Sequence, residues 1–236
     1  MKERELTDRD RAAVQRFVDR VALLYGAQSL LEGPVDGAGR DRGLHGLLAA
    51  RRGLRVIVAL PAPEQEARVR AGYVRGGATA PETRVVLSPL DDSLPTADMV
   101  VSFDAPPYVP DWQGYIARLA SLAGKVLVVV VRNPQRLAFM GRAAHQGRET
   151  LGLAPVLWAS GRVREHAYLG VPRVVSFLAN VRRGRAPLDL VQAPAGASVR
   201  KTAALHAFVV ETAPRTPQAR RRRLALAATP GDPSDV

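Results

Sequence analysis

Gln28-Ser29-Leu30-Leu31-Glu32-Gly33-Pro34-Val35-Asp36-Gly37-Ala38-Gly39 is the stretch that decides how this chain is read. Its first five residues read as a short buried strand, Gly33 through Gly39 as a glycine-bearing turn, and Gly43-Leu44-His45-Gly46-Leu47-Leu48-Ala49-Ala50 as the helix that follows. A strand, a glycine turn and a helix N-terminus bring free backbone N–H groups together where a nucleotide-like ligand can approach the main chain closely. Such turns occur in α/β folds whatever they bind, so the reading depends on the flanking segments.

Upstream, Ala13, Val14, Phe17, Val18, Val21 and Leu24 fall on one face of a helix that Thr7 or Asp8 caps and Gly26 stops. Downstream, Leu54 to Leu60 is a near-continuous β-branched run of the kind buried on both faces of a parallel sheet, ended by Pro61 and followed by a polar helix from Glu64 to Gly72. Thr83 to Leu87, Asp98 to Phe103 and Lys125 to Arg132 read as further strands, with a helix over Trp112 to Ala123. Strands alternating with helices at this spacing predict βαβ crossovers and a mainly parallel sheet. In the back half, Leu137 to Gly152 reads as a helix, Arg164 to Pro172 as a loop before a helix reaching Arg183, and Leu188 to Gln192 and Ala203 to Thr212 as the last two strands. Alternation in the last of these predicts that it runs antiparallel to its neighbours. The expected fold is therefore α/β, Rossmann-like and doubly wound, a single domain built on a seven-stranded, mainly parallel sheet with an antiparallel last strand.

The chain has 236 residues, enough to bury a sizeable core, and 47% of them are hydrophobic. Its most apolar run, Val126 to Val131, is far short of the roughly 20 residues of a membrane-spanning helix, and the charged N-terminus lacks a secretory core. There is no cysteine, hence no disulfide, thiolate nucleophile or zinc-thiolate site, and a cytoplasmic location is expected. The net charge is +12, but of 34 cationic residues only Lys2, Lys125 and Lys201 are lysines; the other 31 are arginines, scattered except for Arg220 to Arg223. That pattern reads as a solvated arginine surface ahead of a nucleic-acid-binding face.

The order of pieces resembles the class I S-adenosylmethionine-dependent methyltransferases, of the type 11-like kind. The resemblance rests on Leu30-Leu31-Glu32 with its glycine turn, the strand ending at Leu60-Pro61, Asp91-Asp92-Ser93-Leu94-Pro95, and Ala97 to Asp104. Tyr115 to Leu119 and the strand Lys125 to Val131 with Asn133-Pro134 continue it. It covers roughly Leu6 to Asn133 and extends more loosely beyond. It implies an organisation into an N-terminal helix over residues 1–26, a methyltransferase domain over 27–213 with an acceptor-side cover at about 137–187, and a basic tail over 214–236.

The resemblance also implies a cofactor, S-adenosylmethionine, and residues to hold it. Glu32, Gly37 and Gly39 would surround its amino-acid end, with Gly33 and Asp36 also among the cofactor-binding residues; Pro61 would lie near its ribose, Asp91 or Asp92 near its adenine, and Ser102 on the floor. Asp104, Tyr108 and His166 would face the methyl acceptor, and no metal is implied. Three positions depart from the family's pattern. The glycines lie one, five and seven residues after Glu32 instead of two, four and six; Leu60 stands where an acid usually takes the ribose hydroxyls; and Leu90 stands where an aspartate usually takes the adenine amino group.

The expected activity is methyl transfer from S-adenosylmethionine to an unidentified acceptor, small or macromolecular. The alternative is a catalytically degenerate methyltransferase fold that serves as a scaffold for a protein partner. A nicotinamide-dependent oxidoreductase would share the first strand and turn, but it also needs an acid after the second strand and leaves Ser93-Leu94-Pro95 and Asn133-Pro134 without a role. His45 reads as a packed histidine, and no pair of histidines and carboxylates has metal-ligand spacing.

Overall fold

The computed structural model describes residues 7–36, 43–86, 88–89, 91–105, 108–133, 162–169, 190–192 and 203–212. Helix α1 (Asp8–Tyr25) opens on a capping box, in which the Thr7 hydroxyl accepts from the Asp10 N–H at 3.2 Å and the Asp10 carboxylate accepts from the Thr7 N–H at 3.3 Å. It closes on Gly26, whose φ of 56° is the left-handed conformation that suits glycine. Strand β1 (Ser29–Asp36), α2 (Leu47–Arg51), β2 (Arg55–Leu60), a 3₁₀ turn (Pro63–Gln65) with α3 (Glu66–Arg75), and β3 (Glu82–Val85) follow in order. Then come β4 (Ala97–Phe103), α4 (Trp112–Leu122), β5 (Ala123–Arg132), β6 (Arg162–Leu169), β7 (Leu190–Gln192) and β8 (Leu205–Glu211).

All eight described strands form one sheet in the order β3-β2-β1-β4-β5-β8-β6-β7. The first five are parallel; β8 runs antiparallel to both β5 and β6, as its alternation predicts, and β6 and β7 are antiparallel to each other. The sheet thus has one strand more than the seven expected. The extra strand is β6, whose residues 164–169 read as loop from their charge. A strand held by β8 on one side and β7 on the other does not need an apolar pattern of its own.

Successive residues of the central strands bury on opposite faces. Leu30, Val58, Val101 and Val128 join Val14, Phe17 and Val18 of α1 and Val69 and Tyr73 of α3 in one core. Leu31, Ile57, Val100 and Val129 join Tyr115, Ile116 and Leu119 of α4 in the other. This two-sided burial explains the near-continuous apolar runs.

Strand β1 is longer than its sequence predicts. Gly33 and Pro34 are strand residues, not the start of a turn, although Pro34 has no N–H to give a ladder. The chain accommodates them by slipping register: Glu32 pairs with Val101 and Asp36 with Phe103, four residues along β1 against two along β4. On its other side, β1 pairs with β2 only as far as Glu32 opposite Val58, while β2 stays paired with β3 to Leu60. The two strands therefore part at their carboxyl ends. The helix expected from Gly43 is also shorter, with Gly43 to Gly46 forming turns and α2 starting at Leu47.

Candidate functional site

The parting of β1 and β2 leaves a crevice at the carboxyl edge of the sheet, lined among others by Gly33, Pro34, Gly43, Leu60, Pro61 and Gln65. Its wall is tightly built. A Cβ on Gly33 would sit 2.6 Å from the Tyr115 hydroxyl, and Gly43 combines a φ of 71° with a Cβ position only 2.8 Å from Val58 Cγ1. Neither position admits a side chain.

Glu32 lies beneath this crevice, 2% exposed. Its Oε1 accepts from the Gly46 N–H at 2.7 Å and from the Tyr73 hydroxyl at 2.5 Å, tying β1 to the turn before α2 and to α3. Burial, and then the neighbouring Glu32 charge, push the Tyr73 phenol well above its ordinary pKa, so it stays a donor. Beyond it, His45 is buried and its ring stacks on Phe103 with centroids 4.5 Å apart and planes 15° from parallel, in keeping with a packed histidine.

At the end of β2, Leu60 is 2% exposed and belongs to the core, so the place where the resemblance implies a ribose-binding acid is packing here, while Pro61 is exposed. Asp91 accepts from the Ser93 N–H at 2.7 Å and shapes its own turn; Asp92 projects into solvent, 3.1 Å from Arg118 of α4. Ser102 is wholly buried inside β4, and its Oγ has no hydrogen-bond partner among the described residues.

Asp104 follows β4 with a φ of 46°, the one non-glycine residue in that region among those described. It is 2% exposed, and its N–H donates to the Val130 carbonyl at 2.7 Å. Its carboxylate accepts from the Arg132 N–H at 3.2 Å and from Arg132 Nε at 2.6 Å. Tyr108 is exposed nearby in sequence, and His166 lies on β6, where its backbone is opposite Phe208 of β8. Gly37, Gly39, Leu90, the helices expected over Leu137–Gly152 and up to Arg183, and the tail lie outside the described residues.

The structure thus puts Gly33 and Pro61 at one crevice, leaves Glu32 buried one residue before Gly33, and places Asp104 after β4. It also brings in Tyr73, Tyr115, Arg132 and Gln65, which sequence reasoning had not singled out. Tyr73 and Tyr115 sit on helices at ordinary core spacing, so nothing local marks them. Among the described residues no helix is long and apolar enough to cross a membrane, and no group of three or more side chains is placed to hold a metal.

No protein-family model and no curated protein sequence matches the chain. Solved structures do. Magnesium protoporphyrin IX methyltransferase from Synechocystis PCC 6803, with bound S-adenosylhomocysteine, aligns at a TM-score of 0.51 and 13% identity over 89% of each chain. An O-methyltransferase from Streptomyces achromogenes involved in tomaymycin synthesis, in complex with S-adenosylmethionine, aligns at 0.51 and 16% identity over 84% of this chain and 79% of that one. A geranyl diphosphate methyltransferase in complex with S-adenosylmethionine gives 0.51 and 15% identity over 86% and 85%. The chain has the fold of the class I S-adenosylmethionine-dependent methyltransferases.

Proposed function

We propose that this protein is an S-adenosylmethionine-dependent methyltransferase. The observation that supports it best is the reversal of strand order between β1 and β4, with the crevice beside it at the carboxyl ends of β1 and β2. Open α/β sheets bind ligands outside the carboxyl ends of their strands where the order reverses. At this edge Pro61 is exposed just after β2, and Gln65 follows on the next turn.

In this reading Glu32, Gly33, Asp36, Gly37 and Gly39 surround the amino-acid end of the cofactor. Pro61 lies against the ribose, Asp91 and Asp92 near the adenine, and Ser102 beneath. Through Gly46 and Tyr73, Glu32 also fixes the turn that approaches the ligand. The cofactor supplies an electrophilic methyl group on a sulfonium, and this chain's contribution is to align the acceptor with it. Asp104, Tyr108 and His166 are the acceptor-side residues. With Arg132 donating to both of its oxygens, Asp104 orients the acceptor edge, and a base is needed only where the acceptor must lose a proton. The solved neighbours named above act on a porphyrin and on a diphosphate ester, so the fold by itself does not choose the acceptor.

Calorimetric titration of the folded protein with S-adenosylmethionine and S-adenosylhomocysteine tests the reading. Micromolar binding of both is expected. No binding up to millimolar ligand, by a sample with a cooperative melting transition, overturns it in favour of a scaffold with a lost cofactor site.

A further inference from the structure

Two prolines stand where the β1–β2 ladder ends. The Arg55 N–H donates to the Gln28 carbonyl at 3.2 Å, so Arg55 turns its backbone groups toward β1. The Leu60 carbonyl accepts from the Val86 N–H at 2.9 Å, so Leu60 turns its own toward β3. Successive strand residues alternate in this respect, which leaves Ala59 facing β1. With Glu32 opposite Val58, the next rungs would run from the nitrogen of residue 34 to the Ala59 carbonyl, and from the nitrogen of residue 61 to the carbonyl of residue 34. Both nitrogens belong to prolines, Pro34 and Pro61, and carry no hydrogen. The ladder therefore stops, although β2 stays paired with β3 as far as Leu60.

Ala59 and Gln65 line the same crevice. The Gln65 Oε1 is buried and has no hydrogen-bond partner among the described residues. A buried acceptor without a donor is destabilising, and folded chains rarely keep one. The other lining side chains, from Pro34, Val58, Leu60 and Pro61, are apolar and supply no donor. The enclosed space is about 10 Å³, room for one water molecule, so anything larger lies outside it.

We propose that one water molecule is a fixed part of this fold, seated in the crevice and donating one hydrogen to the Ala59 carbonyl and the other to Gln65 Oε1. Two acceptors meet two hydrogens. A hard metal ion takes roughly six oxygens, and no carboxylate is among the lining residues. The water replaces the rung that Pro34 deletes, bridging groups that no direct bond joins. It thereby wedges β1 from β2 at the carboxyl edge and sets the width of the crevice before any ligand arrives. The water needs no cofactor above it, so the methyltransferase reading stands or falls on its own titration.

High-resolution diffraction from crystals of the full chain grown in rubidium chloride tests this. The expected result is a density peak about 2.5–3.0 Å from both the Ala59 carbonyl oxygen and Gln65 Oε1, with no anomalous signal at the rubidium edge. An anomalous peak there, marking a monovalent cation, overturns the assignment. So does the absence of a peak, or a direct bond from a protein donor to Gln65 Oε1. In solution, water-deuteron relaxation dispersion counts long-lived buried waters. Gln65→Leu, in a sample with a cooperative melting transition, is expected to hold about one fewer than the wild type. An equal count in the folded variant overturns the assignment.

Discussion

Tyr73 of α3 donates its phenol hydrogen to Oε1 of Glu32 on β1 across 2.5 Å, in a part of the core where neither residue is more than 2% exposed. The same oxygen takes the Gly46 N–H, so one carboxylate oxygen joins a strand, a turn and a helix. Tyr73→Phe is expected to destabilise the protein by about 1–3 kcal/mol, because it removes a donor from a buried charged acceptor. Thermal and urea unfolding measure this. Glu32→Gln keeps an oxygen for Gly46 and Tyr73 but removes the charge. If the carboxylate also holds the ligand's ammonium group, S-adenosylhomocysteine affinity falls roughly tenfold or more in Glu32→Gln while Tm changes little. Unchanged affinity would restrict Glu32 to fixing the turn.

Gly33→Ala should cost about 1–3 kcal/mol, since its Cβ would lie 2.6 Å from the hydroxyl of Tyr115, a fully buried ring with no room to swing. Adding Tyr115→Phe removes the obstructing oxygen, so the double variant should recover part of the loss, and a double-mutant cycle by urea unfolding should give a coupling of about 1 kcal/mol. Strict additivity would show that the clash is relieved by backbone movement instead.

Arg132→Met leaves the buried Asp104 carboxylate without the Nε donor that now reaches it at 2.6 Å. A loss of about 3 kcal/mol in unfolding free energy is expected, at the lower end for broken buried pairs because Arg132 is itself 19% exposed. Asp104→Asn placed on Arg132→Met should restore part of it, since asparagine tolerates a φ of 46° and carries no charge.

Acid should weaken the β2–β3 edge. Glu82 of β3 holds Arg55 and Arg84 at 2.7 and 2.6 Å, and these partners depress its pKa below the ordinary 4.5. A depressed carboxylate contributes stability above its unfolded pKa and loses it as pH falls through the folded one. Tm of the wild type should therefore decline below about pH 4.5 more steeply than that of Glu82→Gln, whose curve starts lower. The difference at neutral pH should be small, about 1 kcal/mol or less, because the pairs are on the surface.

Leu60→Asp, which supplies an acid where the resemblance implies one, should fail to fold. An unpaired carboxylate at a position 2% exposed, in contact with the main core, costs more than roughly 4 kcal/mol. Loss of the cooperative melting transition is the expected readout. A folded Leu60→Asp variant with tighter S-adenosylhomocysteine binding would show that this end of β2 yields to the ligand.

These positions show how far the sequence could be read. The parallel half of the sheet was legible because Val56 to Leu60, Met99 to Val101 and Val126 to Val131 are apolar without interruption, as two-sided burial requires. Strand β6 was not, because Arg-Glu-His at 164–166 breaks the alternation and the strand is specified by pairing with β8. Gly33-Pro34 carries strong turn chemistry, yet pairing of Asp36 with Phe103 holds the segment extended. At the crevice, Pro61 is marked by its place after the end of β2, whereas Glu32 and Gly33 lie within β1, which runs on to Asp36. Gln65 and Tyr73 acquire meaning only when α3 is folded back over β1 and β2, so no local pattern announces them.

The position of β8 between β5 and β6 has a consequence for biosynthesis. Val126 to Val131 of β5 leave the ribosome early and must wait for Leu205 to Glu211 before their outer row of N–H and C=O groups is paired. Until then a flat, uncharged valine ribbon offers itself to any other extended chain, the circumstance in which edge strands nucleate aggregates. Closing this edge is therefore a task of the second half of the chain, and a chain that ends between Arg132 and Leu205 would leave it open.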